Sequence, residues 1–241
     1  GQTAGLVMLI IDVTEKTQAE KGRREFTANV SHELKTPLQS ILGSAELLEN
    51  NMVKPEDVPR FIGHIKSEAA RLVTLINDII QISRIDESGN IEKEDVKLYD
   101  VADEVTGLLS QTAAKRGIIL SLEGDDITVS GSRQLIYEVI YNLCDNAIKY
   151  NKENGSVKIS IFKNQNGKGC VSVADTGIGI APEEQERIFE RFYRVDKSHS
   201  KETGGTGLGL AIVKHAMQNM GGKIALESVL GKGTVITVSF S

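Results

Sequence analysis

The chain has 241 residues, a formal net charge of −5 and no tryptophan, and only 5% of its residues are aromatic. This length suits one or two domains with buried cores. The acidic balance argues against a nucleic-acid-binding surface, and the scarcity of aromatic residues argues against a platform for stacking single strands. Cys144 and Cys170 stand among apolar residues, which predicts buried reduced thiols rather than a disulfide or a metal site.

The first predicted element is a strand followed by a turn, in the stretch GLVMLIIDVTE. Its apolar run, residues 6–11, is far too short to span a bilayer. A single strand has no sheet to join here, so we interpret residues 1–17 as the end of an upstream domain with its linker. The absence of an initial Met indicates an excised fragment, which leaves a membrane segment in the parent protein open.

Residues 18–88 carry apolar side chains at heptad spacing, which predicts a helical hairpin. The turn between the helices falls at residues 50–57, where Pro55 suits a first helical turn. Two helices cannot bury all of these side chains alone, so we expect a dimer with an antiparallel four-helix bundle. The repeating positions are Leu34, Leu38, Ile41, Ala45 and Leu48 in the first helix, and Val58, Ile62, Ile65, Ala69, Leu72, Ile76 and Ile79 in the second.

A histidine and a proline stand together inside the first of these helices, in FTANVSHELKTPLQS. At about 100° per residue, His32 lies roughly 160° from Leu34 and therefore faces solvent, with Thr36 about 40° away on the same face. Pro37 lacks an N–H and its ring clashes with the carbonyl of Glu33, so we expect the helix to break or bend beside His32. A lone histidine is usually a surface residue without function, but this combination favours a site.

From residue 89 the pattern changes to alternating helices and strands. Helices are predicted at 100–117, 132–150 and 207–222, and strands at 96–100, 118–124, 156–164, 169–177, 223–228 and 233–241. Most strands are joined as hairpins, and the helices are sufficient to cover one face of a sheet. The sequence therefore predicts an α+β layered domain.

Four polar clusters in this second region indicate a nucleotide site. They are the helix residues Asn142, Asn146, Lys149 and Tyr150, the loop ADTGIGI with Asp175, Gly177 and Gly179, the segment FERFYRVD, and the glycine-rich GGTGLGLAIVK that opens a helix. Each is weak alone, and the G-x-x-x-x-G-K-[ST] loop is absent. Together they offer a carboxylate for a base, backbone amides and a helix start for phosphates, and an amide oxygen for Mg²⁺.

The motifs SHELKTP, NLCDNAIKY, DTGIGI, FERFYR and GGTGLGL, in this order, resemble the H, N, G1, F and G2 boxes of bacterial sensor histidine kinases. The resemblance covers about residues 18–241 and implies a dimeric four-helix bundle followed by an α/β-sandwich ATP-binding domain of the GHKL, or Bergerat, type. It implies three segments, namely residues 1–17 from an upstream PAS-like domain, 18–88 for dimerisation and phosphotransfer, and 89–241 for ATP binding. SHELKTP with FERFYRVDKS is most similar to the transmembrane, PAS-containing subgroup, so the cytoplasmic portion of a plasma-membrane protein is implied.

The resemblance also implies a role for each motif residue. His32 would accept the phosphoryl group from ATP, Glu33 would take the ring proton, and Thr36 would orient water when the enzyme dephosphorylates a response regulator. Asn146 would coordinate Mg²⁺, and Arg194 would neutralise the γ-phosphate. The further nucleotide contacts implied are Asn142, Lys149, Tyr150, Asp175, Gly177, Gly179, Gly205, Thr206, Gly207, Leu208, Gly209 and Thr234, with Gly231 and Gly233 beside the adenine and a mobile ATP lid over about residues 189–206.

Two departures and two other functions stay open at this point. Asn151 and Ala181 stand where the family often has other residues, with no role removed by the change. A mechanical ATPase clamp of the same nucleotide-binding superfamily would need a further transducer domain, which this chain does not carry after its final strand. A non-catalytic dimeric module that only senses ATP would gain support if replacing His32 left signalling to the regulator unchanged.

Overall fold

The computed structural model describes residues 14–87, 93–195 and 205–240. It divides into two compact units, Gly1–Leu72 and Val73–Ser241. The apolar run predicted as a strand at residues 6–11 lies outside the described residues, as do residues 196–204 of the predicted lid. Within the described parts of the chain, no helix combines the length and the apolar character that a membrane span needs.

The first unit is built from two helices. Helix α1 spans Thr14–Glu49, a short 3₁₀ turn spans Pro55–Asp57, and α2 spans Val58–Glu87. Ser40 and the His64 ring, whose Oγ and Nε2 atoms lie 2.8 Å apart, join the two helices as the predicted hairpin requires. The predicted turn is confirmed, and Asn51 reverses the chain there with a φ of 52°.

Pro37 does not end α1. The helix continues through Pro37 as far as Glu49, so the proline does not interrupt it, and the bend expected beside His32 stays a prediction. A proline removes one backbone donor from a helix. Here its ring is buried, and the Thr36 hydroxyl donates to the His32 carbonyl oxygen at 3.2 Å. Packing and a long flanking helix therefore outweigh the missing hydrogen bond.

The heptad side chains of the first unit fall into two rows with different exposure. Leu34, Ile41 and Ile65 are half-buried within one chain. Leu38 and Ile62 are 50% and 55% exposed. A single hairpin therefore covers one row and leaves the other on its surface.

The second unit contains the C-terminal part of α2 and a layered α+β domain. Its strands are β1 (Glu94–Lys97), β2 (Ile119–Gly124), β3 (Thr128–Gly131), β4 (Ser156–Lys163), β5 (Gly169–Asp175), β6 (Lys223–Val229) and β7 (Gly233–Ser239). Its other helices are α3 (Leu98–Lys115), α4 (Arg133–Lys149) and α5 (Gly209–Asn219). Ser132 caps α4 by accepting from the amide of Leu135.

The main sheet has five strands in the order β2-β4-β5-β7-β6. The hairpins β4–β5 and β6–β7 are antiparallel as predicted, whereas β2 pairs with β4 in parallel. Strand β3, which the sequence prediction missed, pairs with β1 in a separate two-stranded sheet. It was missed because four residues are too few to establish an alternating pattern.

The core of the second unit lies between the main sheet and its helices. Alternate residues of β4 are fully buried, as are the apolar faces of α4 and α5. The end of α2 joins this unit through an apolar stripe and a polar bond, since Leu75, Ile82 and Ile85 are buried and Asn219 Nδ2 donates to the Ile85 carbonyl at 2.7 Å. A single chain therefore buries the apolar side chains of the second unit, but it leaves part of those of the first unit exposed.

Candidate functional site

His32 lies on an exposed face of α1, as the helical spacing predicted. Thr36, one turn later, is also exposed, and its hydroxyl is directed back to the His32 carbonyl. An exposed imidazole is open to an incoming reactant and can act as a nucleophile near neutral pH. The geometry of α1 thus presents His32 and Thr36 side by side.

Glu33 has a partner that the sequence did not predict. Arg71 of α2 approaches the Glu33 carboxylate with an Nη2–Oε2 distance of 3.6 Å. Its other terminal nitrogen lies 3.6 Å from Glu68 Oε2, and the Arg71 side chain is only 10% exposed. Arg71 therefore restrains the carboxylate next to His32. Heptad counting marked the apolar positions around Arg71 and gave no signal for this cation.

The second unit contains a cavity of about 540 Å³ that unites the sequence-predicted nucleotide residues. Its volume is in the range of small-molecule and cofactor sites. The predicted residues that line it are Asn142, Asn146, Lys149, Tyr150, Asp175, Gly179, Arg194, Gly205, Thr206, Gly207, Gly209 and Thr234. Gly177 and Leu208 do not line the cavity, although each is next in sequence to a residue that does. Leu208 is fully buried. Residues from four separate motifs thus converge on one space.

Asp175 lines the cavity and is the last residue of β5. Its Oδ1 atom accepts hydrogen bonds from the Gly177 amide at 2.8 Å and the Thr234 amide at 3.2 Å. Burial raises the pKa of this carboxyl, and the two amide bonds oppose that rise. A carboxylate has a second acceptor oxygen, so Asp175, which lines the cavity, can also accept a hydrogen bond from an amine there.

Glycines allow the backbone to pack closely around Asp175. Gly179 has a φ of 68°, and a Cβ atom there would collide with the Val229 carbonyl. Gly233 has a φ of 128°, and a Cβ atom there would collide with the Asp175 carbonyl. The Gly231 amide donates to the Ile178 carbonyl at 2.7 Å. The predicted glycine positions are therefore required by local geometry.

The departure at position 151 is accommodated by hydrogen bonds. Asn151 Nδ2 donates to the Ser156 carbonyl at 3.0 Å, and its Oδ1 accepts from the Thr176 hydroxyl at 3.2 Å. These bonds tie the end of α4 to the residue after Asp175. Asn151 thus supports the loop that carries the carboxylate.

Helix α4 supplies the polar wall of the cavity. Asn142 donates from Nδ2 to the Glu138 carbonyl at 2.8 Å, one turn earlier. Lys149 Nζ lies 2.6 Å from Asp145 Oδ2. Spacings of three and four residues place these side chains along one side of α4 while Ile140, Leu143 and Ile148 are buried on the other. The wall offers both amide groups and an ammonium group to an anion.

A glycine-rich turn leads into α5 beside α4, since a Cβ atom at Gly209 would meet the Asn142 side chain. Gly207 has a φ of 74°, and its carbonyl accepts from the Phe192 amide at 2.9 Å. The start of α5 presents backbone amides and the positive end of its dipole. The Leu208 amide is engaged by the Thr206 hydroxyl oxygen at 3.3 Å. This turn is suited to bind phosphate groups.

The sequence prediction missed an acidic residue of the cavity wall that comes from α2. Asp78 of α2 lines the cavity, and its Oδ2 accepts from the Thr206 hydroxyl at 2.6 Å. Burial raises the pKa of Asp78 to about 6, against opposing contributions from Thr206 and Lys149. No motif pointed to this position, because Asp78 looks like an ordinary polar residue between two apolar heptad positions.

The segment FERFYRVD borders the cavity next to this turn. Tyr193 and Arg194 line the space, and the Arg187 guanidinium lies 4.2 Å from the centroid of the Tyr193 ring. Such a cation–π contact holds the aromatic ring in place. Arg194, the next residue, brings a positive charge to the cavity wall.

The donor set fits a magnesium ion that arrives with a nucleotide. Within the described residues, no group of three or more His, Cys, Asp or Glu side chains could hold a metal ion. Mg²⁺ commonly takes few protein ligands and completes its shell with phosphate oxygens and water. Asn146 lines the cavity, and its side-chain amide has an oxygen of the kind that Mg²⁺ binds.

Comparison with known families identifies both regions. Residues 22–88 match the His Kinase A (phospho-acceptor) domain, and residues 131–241 match the family described as Histidine kinase-, DNA gyrase B-, and HSP90-like ATPase. The sensor histidine kinase WalK of Bacillus subtilis (strain 168) is 38% identical over 98% of this chain. This chain spans 39% of the length of that protein.

Solved structures give the same assignment. The histidine kinase ThkA in complex with the response regulator protein TrrA is 29% identical, with a TM-score of 0.73 over 95% of this chain and 67% of that chain. The catalytic domain of ThkA alone is 32% identical, with a TM-score of 0.55 over 62% of this chain and 95% of that domain. Full-length ShkA in complex with AMPPNP is 30% identical, with a TM-score of 0.65 over 90% of this chain and 45% of that chain.

Proposed function

Given that this chain belongs to the bacterial two-component sensor histidine kinases, with an ATP-binding domain of the GHKL type, we propose that it phosphorylates its own His32 from Mg-ATP. The phosphoryl group then passes to an aspartate of a response regulator, and the same enzyme also dephosphorylates that regulator. The observation that carries the proposal is the convergence of the nucleotide motifs on one cavity in a chain that also exposes His32.

The proposed chemistry is an in-line phosphoryl transfer. A neutral ring nitrogen of His32 attacks the γ-phosphorus while the bond from phosphorus to the leaving ADP oxygen breaks, and Glu33 takes the proton that the ring loses. Such reactions depend mainly on positioning and on neutralisation of the phosphate charge. Thr36 serves the dephosphorylation of the response regulator, since its hydroxyl can orient a water molecule toward the phosphorylated aspartate.

The cavity residues take the roles that their positions allow. Asp175 accepts from the adenine amine, with Gly177, Gly179 and Thr234 around it. Lys149 and Arg194 neutralise phosphate charge, and Gly205, Gly207 and Gly209 let the backbone approach the phosphates. Asn146 would hold Mg²⁺, which when bound would lower the charge repulsion around the transferred group. The remaining nucleotide contacts proposed are Asn142, Tyr150, Thr206 and Leu208.

The partners and organisation are also proposals. The exposed Leu38 row fits a homodimer with a four-helix bundle, because a second hairpin would cover it. The regulator partner is proposed by analogy with ThkA and TrrA. We retain the segments 1–17, 18–88 and 89–241 as domain boundaries, with a PAS-like domain upstream and a parent protein anchored in the plasma membrane.

The test is phosphorylation with γ-labelled ATP and Mg²⁺, comparing the wild type with His32→Gln. We expect label that is lost in acid, survives base and is absent from the variant. His64→Gln is a matched control, since it removes another imidazole from the same hairpin and should keep the label. Label that survives acid, or that persists in His32→Gln, would contradict the proposal.

A further inference from the structure

Residues of α2 close one side of the nucleotide cavity. Asp78 lines the cavity directly. Leu75 and Ile82, at spacings of three and four residues from Asp78, are 2% and 0% exposed. The carboxylate is therefore held at the cavity by packing on both sides along the same face of α2.

A second group of contacts anchors the end of α2 two turns further on. Asp86 accepts from Arg191 Nη2 at 2.8 and 3.0 Å, and His215 Nδ1 lies 3.3 Å from Asp86 Oδ1. Arg191 Nε also donates to His215 Nε2 at 3.3 Å. Burial, reinforced by Arg191, lowers the pKa of His215, so the neutral ring can donate from Nδ1 and accept at Nε2. This cluster ties α2 to both the FERFYRVD segment and α5.

The Asp78 contact occupies groups that phosphates would use. The Thr206 hydroxyl donates to Asp78, and its oxygen accepts from the Leu208 amide. That amide lies at the start of α5, where backbone donors and the helix dipole favour an anion. With Asp78 in place, the hydroxyl and the amide are both engaged.

The charge at this end of the cavity also opposes a triphosphate. Asp145 and Glu138 act on Asp78 as like charges that raise its pKa, and Lys149 is already paired with Asp145. Like charges at close range in a partly buried site repel strongly. An anionic ligand must therefore overcome the Asp78 carboxylate or displace it.

We propose that Asp78 sets the nucleotide affinity of this cavity, because its carboxylate holds Thr206 and repels the phosphates, so that nucleotide binding and the α2 contact disfavour each other. The inference rests on the proposed nucleotide function. It assigns to a residue of the phosphotransfer hairpin a direct effect on the ATP site. By linkage, a signal that withdraws Asp78 would raise nucleotide affinity by the same factor with which nucleotide weakens the contact.

The test measures the affinity of the full chain for Mg-AMPPNP by calorimetry. Asp78→Asn keeps the shape of the side chain and removes the charge, and we expect it to tighten binding roughly tenfold, within the usual range of coupling between sites. Asn77→Ala is the matched control, since Asn77 is the exposed neighbour on α2 and should bind as the wild type does. Unchanged or weaker binding by Asp78→Asn overturns the inference.

A second measurement needs no variant. Hydrogen exchange of the α2 segment around residues 73–87 in the wild type should become faster when Mg-AMPPNP is added, because the nucleotide disfavours the contact. Slower exchange would mean that the nucleotide strengthens the contact, which overturns the inference while leaving the proposed function intact. Failure of every variant and the wild type to bind Mg-AMPPNP would overturn both.

Discussion

In the sheet-containing unit, Ile140 of α4 and Val173 of β5 are 0% and 3% exposed, whereas Leu38 and Ile62 of the helical hairpin keep half of their surface in solvent. Both pairs belong to regular apolar patterns. A sheet covered by helices encloses its pattern within one chain, but two helices have too little surface to do so. The first unit therefore leaves apolar positions exposed, whereas the second closes its core and keeps an internal cavity.

The largest effect is expected when core volume is removed from the second unit, which tests whether its apolar residues are packed more fully than those of the first. Ile140→Ala should lower the free energy of unfolding of this unit by about 2–5 kcal/mol, because it leaves a cavity in a fully packed site. Leu38→Ala, on the exposed row, is the contrasting variant and should shift only a concentration-dependent transition. Calorimetry at several protein concentrations separates the two. Equal, concentration-independent losses would show that the rows do not differ.

The next largest effect concerns the pH dependence of the second unit. Asp78 has a pKa near 6 in the folded chain and an ordinary value of 3.8, so the folded state binds its proton more tightly. Stability should therefore fall as pH rises from about 4 to about 6, by at most about 3 kcal/mol for this group. Asp78→Asn should remove this fall in the free energy of unfolding between pH 4 and 6, as measured by urea titrations at several pH values. An unchanged slope in the variant would assign the pH dependence to other carboxyls.

A smaller effect, on nucleotide affinity, is expected from a substitution at Asp175, at the proposed adenine end of the cavity. Asp175→Asn keeps an oxygen that can accept from the Gly177 and Thr234 amides, but it removes the charged acceptor proposed for the base. We expect nucleotide affinity to fall about 10- to 100-fold, the usual range for a charged hydrogen bond. Displacement of a fluorescent nucleotide measures this. Ser172→Ala, on the same strand outside the cavity lining, is the control.

The smallest effect is expected in the hairpin at Arg71. Arg71→Gln releases Glu33 from an ion pair at 3.6 Å, which should change stability by about 1 kcal/mol or less. It should nevertheless slow labelling of His32 several-fold, because the carboxylate proposed as the base loses its restraint. Glu68→Gln is the control, since Glu68 contacts Arg71 but not His32. A labelling rate equal to the wild type would remove Arg71 from the proposed mechanism.

Local pattern alone determined the elements and the composition of the candidate site. Heptad spacing located α1 and α2, helical spacing placed His32 and Thr36 on one exposed face, and the glycine motifs marked turns where a Cβ atom does not fit, as at Gly179 and Gly233. These features depend on backbone geometry over a few residues, which the order of residue types records directly.

The tertiary structure decided what depends on contacts between distant segments. Pro37 stays inside α1 because packing outweighs one missing hydrogen bond, β3 exists because β1 pairs with it, and Arg71 meets Glu33 only when the hairpin closes. Asp78 reaches Thr206 across 128 positions of sequence, and no periodicity encodes that distance. Sequence pattern therefore located the motif residues of the site, and folding added Asp78 and Arg71 and specified which groups restrain one another.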